Sequence, residues 1–152
     1  MFRVVLVSGE SMAPTYRSSD LLLARPMGRA SAVLPRGAVA IFRRNGLSTI
    51  KRAVGVPGDT VELEAGRLFV NGVSVDGRAR IRGALTVTWH VPEAHYFMAG
   101  DNAAVSDDSR TWLEPFVAAD GIDATVSKRV VRLAREQRVT PRRRSPAAAL
   151  AE

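Results

Sequence analysis

The reading of the fold starts at Ala38-Val39-Ala40-Ile41-Phe42-Arg43-Arg44-Asn45-Gly46-Leu47-Ser48-Thr49-Ile50-Lys51-Arg52-Ala53-Val54-Gly55-Val56. Two apolar runs rich in β-branched residues flank Arg44-Asn45-Gly46. Asn-Gly supplies two residues tolerant of positive φ, so Ala38 to Arg43 and Ser48 to Val56 are predicted to pair as a hairpin. Outward from it, Val4 to Val7 and Asp20 to Arg25 read as strands. Val61 to Leu63 and Arg67 to Val70 flank a Glu64-Ala65-Gly66 turn, and Asn71-Gly72 turns Val70 into Val73. Ala84 to Val91 alternates and is rich in Thr and Val, as strands are. His95 to Ala99 and Val126 to Leu133 complete the set. Only Pro115 to Ala119 and Val130 to Gln137 offer helical turns. Short strands spaced about 8–12 residues apart predict an all-β sandwich or barrel rather than βαβ units.

With 152 residues, 46% apolar and 24% charged, the chain is long enough for one domain with a real core. It has no cysteine, which excludes disulfides, a cysteine nucleophile and thiolate zinc sites. Its two histidines, His90 and His95, are too few for a histidine-rich metal site. Aromatics make up 6%, a poor platform for stacking nucleic-acid bases.

The net charge of +7 is uneven. Residues 1–127 hold 14 Lys/Arg against 13 Asp/Glu, and residues 128–152 hold 8 against 2. A near-neutral domain, 1–134, is thus expected to carry a basic tail, 135–152, whose Arg, Pro, Ser and Ala composition predicts disorder. No specific nucleic-acid partner is implied for the domain; an anionic membrane surface suits the tail. No apolar run approaches the roughly 20 residues of a membrane span, and the apolar run near the start is too short for a signal peptide. By its own sequence the chain is expected to lack a transmembrane anchor.

Three blocks could carry chemistry. In Gly9-Glu10-Ser11-Met12-Ala13-Pro14-Thr15, a serine follows a strand on a loop stiffened by proline. Ser, Gly and Pro are equally what turns are made of, so this block alone leaves both readings open. It is not a Gly-x-Ser-x-Gly elbow, because Ala13 stands at the second glycine. Lys51 is the second candidate. Of 22 basic residues only Lys51 and Lys128 are lysine. A buried lysine can lose its proton and act as a base, which arginine cannot; a solvated cation that happens to be lysine is the bland alternative. Thr49, Lys51 and Ala53 share one face of their strand. Serine beside a neutral lysine is a known form of activated nucleophile. His90 and His95 have no acidic orienter at a signature spacing. The third block, Gly100-Asp101-Asn102-Ala103-Ala104-Val105-Ser106-Asp107-Asp108-Ser109-Arg110, reads by itself as a polar surface loop. It lacks the closing Glu of a calcium loop.

Together these blocks resemble type I signal peptidases, serine endopeptidases with a Ser/Lys dyad. Gly9 to Thr15 matches the nucleophile box, Ile50 to Asp59 the general-base box, Leu68-Phe69-Val70-Asn71-Gly72 the hairpin after it, and Gly100-Asp101-Asn102 with Ser106 and Asp108-Ser109-Arg110 the last box. The match runs from about Val4 to Val126, in order and spacing. The resemblance implies a compact antiparallel, barrel-like catalytic fold with a minimal second β-subdomain. It implies Ser11 as nucleophile, Lys51 as general base and Ser106 as the residue orienting the lysine amine. Asp108 would pair with Arg110 and Asp101 with Arg52. The Ser11 N–H, with Gly9 beside it, would hold the oxyanion. A peptide or preprotein would lie extended between Val4–Val7 and Thr49–Lys51, its small P1 and P3 residues against Val5, Val7, Met12, Thr49 and Ile50, with cleavage after Ala-X-Ala-like sequences. No cofactor or metal is implied. The implied location is the extracytoplasmic face of the cytoplasmic membrane.

The chain departs from the family pattern in three places. Ten residues precede Ser11 where members usually carry one or two spans. Ala103-Ala104-Val105 replaces Arg-Asp-Asn, and the segment from Asp59 to Gly100 is short. A dedicated processing peptidase is therefore as compatible as a general one. Two alternatives stand beside it: a self-cleaving repressor domain with the same dyad, and an inactive β-domain whose tail binds anionic lipid or nucleic acid. The sequence leaves substrate, oligomeric state and anchoring open.

Overall fold

The computed structural model describes residues 1–28 and 33–132. Among these, the strands are β1 Arg3–Leu6, β2 Asp20–Pro26, β3 Val39–Arg44, β4 Leu47–Gly55, β5 Thr60–Glu64, β6 Arg67–Val70, β7 Val73–Ser74, β8 Thr86–His90, β9 His95–Ala99, β10 Phe116–Ala118 and β11 Ile122–Arg132. All pair antiparallel in two sheets, ordered β1-β2-β11-β3-β4-β9-β10 and β7-β6-β5-β8.

The Asn45-Gly46 turn closes the β3–β4 hairpin, with both residues at positive φ, 49° and 78°. Its register sets Ala40 opposite Lys51 and Ile41 opposite Ile50. Period-two alternation then assigns the faces. Ala40, Phe42, Lys51 and Ala53 point one way, where Ala40, Phe42 and Ala53 join Leu34, Tyr96, Met98, Val117 and Ile122 in one apolar cluster. Ile41 and Ile50 point the other way. There Val5 of β1 and Ile50 of β4 both pack on Ala24, Ile41 and Ala124. In a flat sheet, four strand spacings of about 4.8 Å would hold β1 and β4 far apart. Their meeting on one cluster means the sheet is curled. A third cluster, with Val54, Val61, Leu68, Val70, Val91 and Phe97, joins the two sheets. Gly55 is required there, since a Cβ would stand 2.7 Å from Val61 Cγ2.

Three expectations are corrected. Phe116–Ala118 is a strand on the outer edge of β9, not a helical turn; a 3-10 turn, Ala119–Gly121, follows it. Pairing with β9 satisfies backbone groups that a lone turn would leave open. The last strand begins at Ile122, four residues before Val126, because it lies between β2 and β3 and is held from both sides. Val130 to Arg132 belongs to that strand, and the rest of the expected helical turn lies outside the described residues, as does the 135–152 tail.

Candidate active site

The loop from Val7 to Ser19 joins β1 to β2 and carries Ser11. Backbone bonds close its base: Val7 N–H donates to Asp20 O and Ser19 N–H to Val7 O, each at 2.9 Å. Inside it, Ala13 N–H donates to Glu10 O and Tyr16 N–H to Met12 O. Gly9, at φ +84°, supplies the left-handed position at the start of the turn.

Lys51 lies mid-way along β4, where the ladder to β9, which starts at Arg52, has ended. The Ser11 loop comes in beside that edge. Lys51 Nζ and Ser11 Oγ are 2.8 Å apart. Lys51 is 5% exposed, and burial lowers its pKa below the ordinary 10.5. Asp108 and Asp107 oppose that shift and Arg110 adds to it. Desolvation wins because removing an ammonium from water penalises only its charged form.

The third block forms the floor beneath the serine. Asn102 N–H donates to Ser11 O at 2.9 Å and Asn102 Nδ2 to Glu10 O at 3.2 Å. Asp101 receives the Arg52 fork, at 2.8 and 2.6 Å, and the Thr15 hydroxyl at 2.6 Å. Burial acts to raise the Asp101 pKa, but Arg52 and Thr15 outweigh it and hold the carboxyl low. One ion pair thus ties the serine loop to the residue next to Lys51. Asp108 is fully buried; it accepts from Gly100 N–H, Ser106 Oγ and the Arg110 backbone and guanidinium. Burial works against its ionisation, yet these bonds keep its pKa below the ordinary value. Ser109, also fully buried, fastens the block to β9 by accepting from Met98 N–H at 2.8 Å.

Of the expected residues, the structure brings together Ser11 with Lys51, Arg52 with Asp101, and Asp108 with Arg110. Ser106 is placed differently. Its hydroxyl donates to Asp108 Oδ2 at 2.6 Å, and no Ser106–Lys51 hydrogen bond occurs among the described residues. A serine hydroxyl has one proton to donate, and here it goes to the buried Asp108 carboxylate. Val5, Thr49 and Ile50 are half-buried, while Val7 and Met12 are 5% and 1% exposed. His90 and His95 contact Thr60 Oγ1 and Glu93 O, away from Ser11 and Lys51. Thr15, Asn102, Gly100 and Asp107 had no assigned roles from the sequence. Three of them stood inside the matching boxes, beside residues that did.

The family model described as "Signal peptidase, peptidase S26" matches residues 1–131. The chain belongs to the S26 signal peptidase family. As an S26 member it is a serine-type endopeptidase. It is 33% identical to signal peptidase I P of Bacillus subtilis subsp. natto, over 79% of this chain and 72% of that one. It is 31% identical to signal peptidase I S of Bacillus subtilis (strain 168), over 76% and 70%. A crystal structure of a signal peptidase I from Enterococcus faecalis V583 matches at 30% identity with a TM-score of 0.49, covering 62% of this S26 peptidase and 97% of that chain. No helix among the described residues is long and apolar enough to cross a membrane.

Proposed function

We propose that this peptidase removes signal peptides, or one dedicated leader peptide, after small residues, with Ser11 as nucleophile and Lys51 as general base. The observation that carries the reading is the 2.8 Å approach of a buried lysine amine to the serine hydroxyl. Neutral Nζ takes the Oγ proton as Oγ attacks the scissile carbonyl carbon. The oxyanion is held by the Ser11 N–H beside Gly9. The protonated amine then gives its proton to the leaving amide nitrogen, leaving an acyl-serine. A water, deprotonated by the same amine, attacks the ester and frees the serine.

The substrate adds a strand. Among the described residues, β1 is paired on one side only, by β2, and Leu47 to Lys51 of β4 have no β9 partner. Extended peptides bind such open edges through main-chain hydrogen bonds, with alternate side chains entering pockets. Val5, Thr49 and Ile50 border this opening; Val7 and Met12, being buried, form its floor. The preprotein, already translocated, is cut at the extracytoplasmic face, and the Arg-rich stretch after residue 134 draws the domain toward anionic lipid at about 1 kcal/mol per basic residue.

The test is cleavage of a peptide with Ala at P3 and P1. Ser11→Ala and Lys51→Arg are each expected to abolish it while keeping the β-sheet circular dichroism. Arginine stays protonated and cannot accept the serine proton. A Lys51→Arg enzyme with near wild-type kcat/KM would overturn the assignment. Removing residues 134–152 is expected to leave this cleavage intact and to weaken binding to anionic vesicles.

A further inference from the structure

The loop carrying Ser11 is held from a second direction, by the end of β11. Arg129 and Arg132 are three positions apart, an odd spacing that puts side chains on opposite faces of a regular strand. Here they share a face. A register shift between Arg129 and Val131 sets Arg129 opposite Leu22 and Arg132 opposite Asp20. Leu22 and Asp20 are two apart on β2 and share a face, so both arginines lie on the face of β11 that meets Asp20, with side chains 34% and 49% exposed. Re-aiming a side chain in this way is what β-bulges do.

The two arginines flank Asp20. Arg129 Nη1 is 3.5 Å from Oδ2 and Arg132 Nε is 3.6 Å from Oδ1. Asp20 is 1% exposed; Oδ2 accepts the Arg17 N–H at 3.0 Å, and Oδ1 has no hydrogen-bond partner among the described residues. Both cations therefore stand off the carboxylate instead of forking onto it. The short hydrogen bond of Arg129 goes elsewhere, to Thr15 O at 2.8 Å. Thr15 is four residues past Ser11, and its hydroxyl is bound to Asp101.

We infer that Arg129 is a positioning residue for Ser11. It grips the Thr15 carbonyl on one side of the loop while Asp101 grips the hydroxyl on the other. The buried charge of Asp20, shared with Arg132, holds the Arg129 guanidinium at that carbonyl. The two register shifts in β11, one before Arg129 and one after it, are what deliver it. This role rests on Ser11 being the nucleophile; it adds that the last strand sets where the nucleophile sits.

The experiment measures kcat, KM and the alkaline pH limb for Arg129→Ala, Arg129→Lys and Asp20→Asn on the Ala-X-Ala peptide, with and without millimolar guanidinium, together with amide exchange at Tyr16 and Asn102. Arg129→Ala is expected to lose about tenfold or more in kcat with little change in KM, since a misplaced nucleophile slows the step without weakening binding. The pH limb should stay, exchange at Tyr16 and Asn102 should quicken, and guanidinium should restore much of the rate. Asp20→Asn should show the same pattern more weakly, and Arg129→Lys should fall between. A folded Arg129→Ala enzyme with wild-type kcat and wild-type exchange would overturn the inference. So would a loss that guanidinium does not restore and that accompanies faster exchange throughout the protein. Failure of the underlying reading would show separately, as cleavage surviving Ser11→Ala.

Discussion

A Cβ placed on Gly100 would stand 2.5 Å from the Ser11 carbonyl oxygen and 2.2 Å from Ser106 Oγ. The end of β9, the Ser11 loop and the Gly100–Arg110 block meet at a point where only hydrogen fits. Gly100 is not at positive φ, so the requirement is one of space and not of backbone conformation. Gly100→Ala should push the Ser11 backbone away from its Asn102 bond. We expect kcat to fall by about 100-fold, the scale of a 1 Å misplacement, with the sheet intact by circular dichroism. Wild-type kcat in this variant would show that the loop moves without consequence.

Asp107 lies near the amine and favours its charged form. Its carboxylate is fixed by the Trp112 Nε1–H at 3.0 Å and the Thr111 hydroxyl at 3.1 Å. Removing the anion takes away an attraction that raises the lysine pKa. The alkaline limb of kcat/KM in Asp107→Asn should therefore move to lower pH. A limb that stays or moves upward would exclude Lys51 as the group titrating there.

Burial of Lys51 also has a sign in stability. Its folded pKa is depressed, so the folded state resists a proton that the unfolded chain accepts. The penalty is full below the folded pKa, shrinks as pH rises, and is gone above the ordinary 10.5 of the unfolded chain. Lys51→Met should raise Tm at pH 7, and the gain should vanish toward pH 10.5. Thermal melts across that range read this directly, and a gain that is flat with pH would contradict it.

Asp108 and Arg110 form the most enclosed ion pair near Ser11 and Lys51 among the described residues, with side chains 0% and 11% exposed. Asp108→Ala leaves Arg110 without its anion and should cost about 3–5 kcal/mol, the range for breaking a buried pair. Because the Asp108 pKa is held below 3.8, its stabilisation is complete above that value and is lost as pH falls through the lowered one. Urea unfolding at neutral and acid pH checks both: the wild type and Asp108→Ala should converge as pH drops.

Much of this was legible in the chain because it is local. Asn45-Gly46 and Asn71-Gly72 announce hairpins through the φ values they tolerate, and both sit at positive φ. Alternation puts Thr49, Lys51 and Ala53 on one face of their strand; the β3–β4 register makes that the face of Ala40 and Phe42. Phe116 to Ala118 was misread because a three-residue apolar run after proline has no periodicity to separate strand from turn; its pairing with β9 settles it. Ile122 to Thr125 was missed for a related reason. Ile-Asp-Ala-Thr is a weak strand by composition, and its place between β2 and β3 makes it one.

By itself the sequence determined most of the strands, the turns between them and the candidate residue types, Ser11 and a rare lysine, because propensity, period and residue chemistry are properties of neighbours along the chain. The tertiary structure alone decided that Lys51 is buried enough for its pKa to fall, that the Ser106 hydroxyl goes to Asp108 and not to the amine, and that two bulges turn Arg129 toward Thr15. Those outcomes depend on which groups arrive within about 3 Å of one another, and residues 40, 86 or 114 positions apart meet only once the sheet has curled.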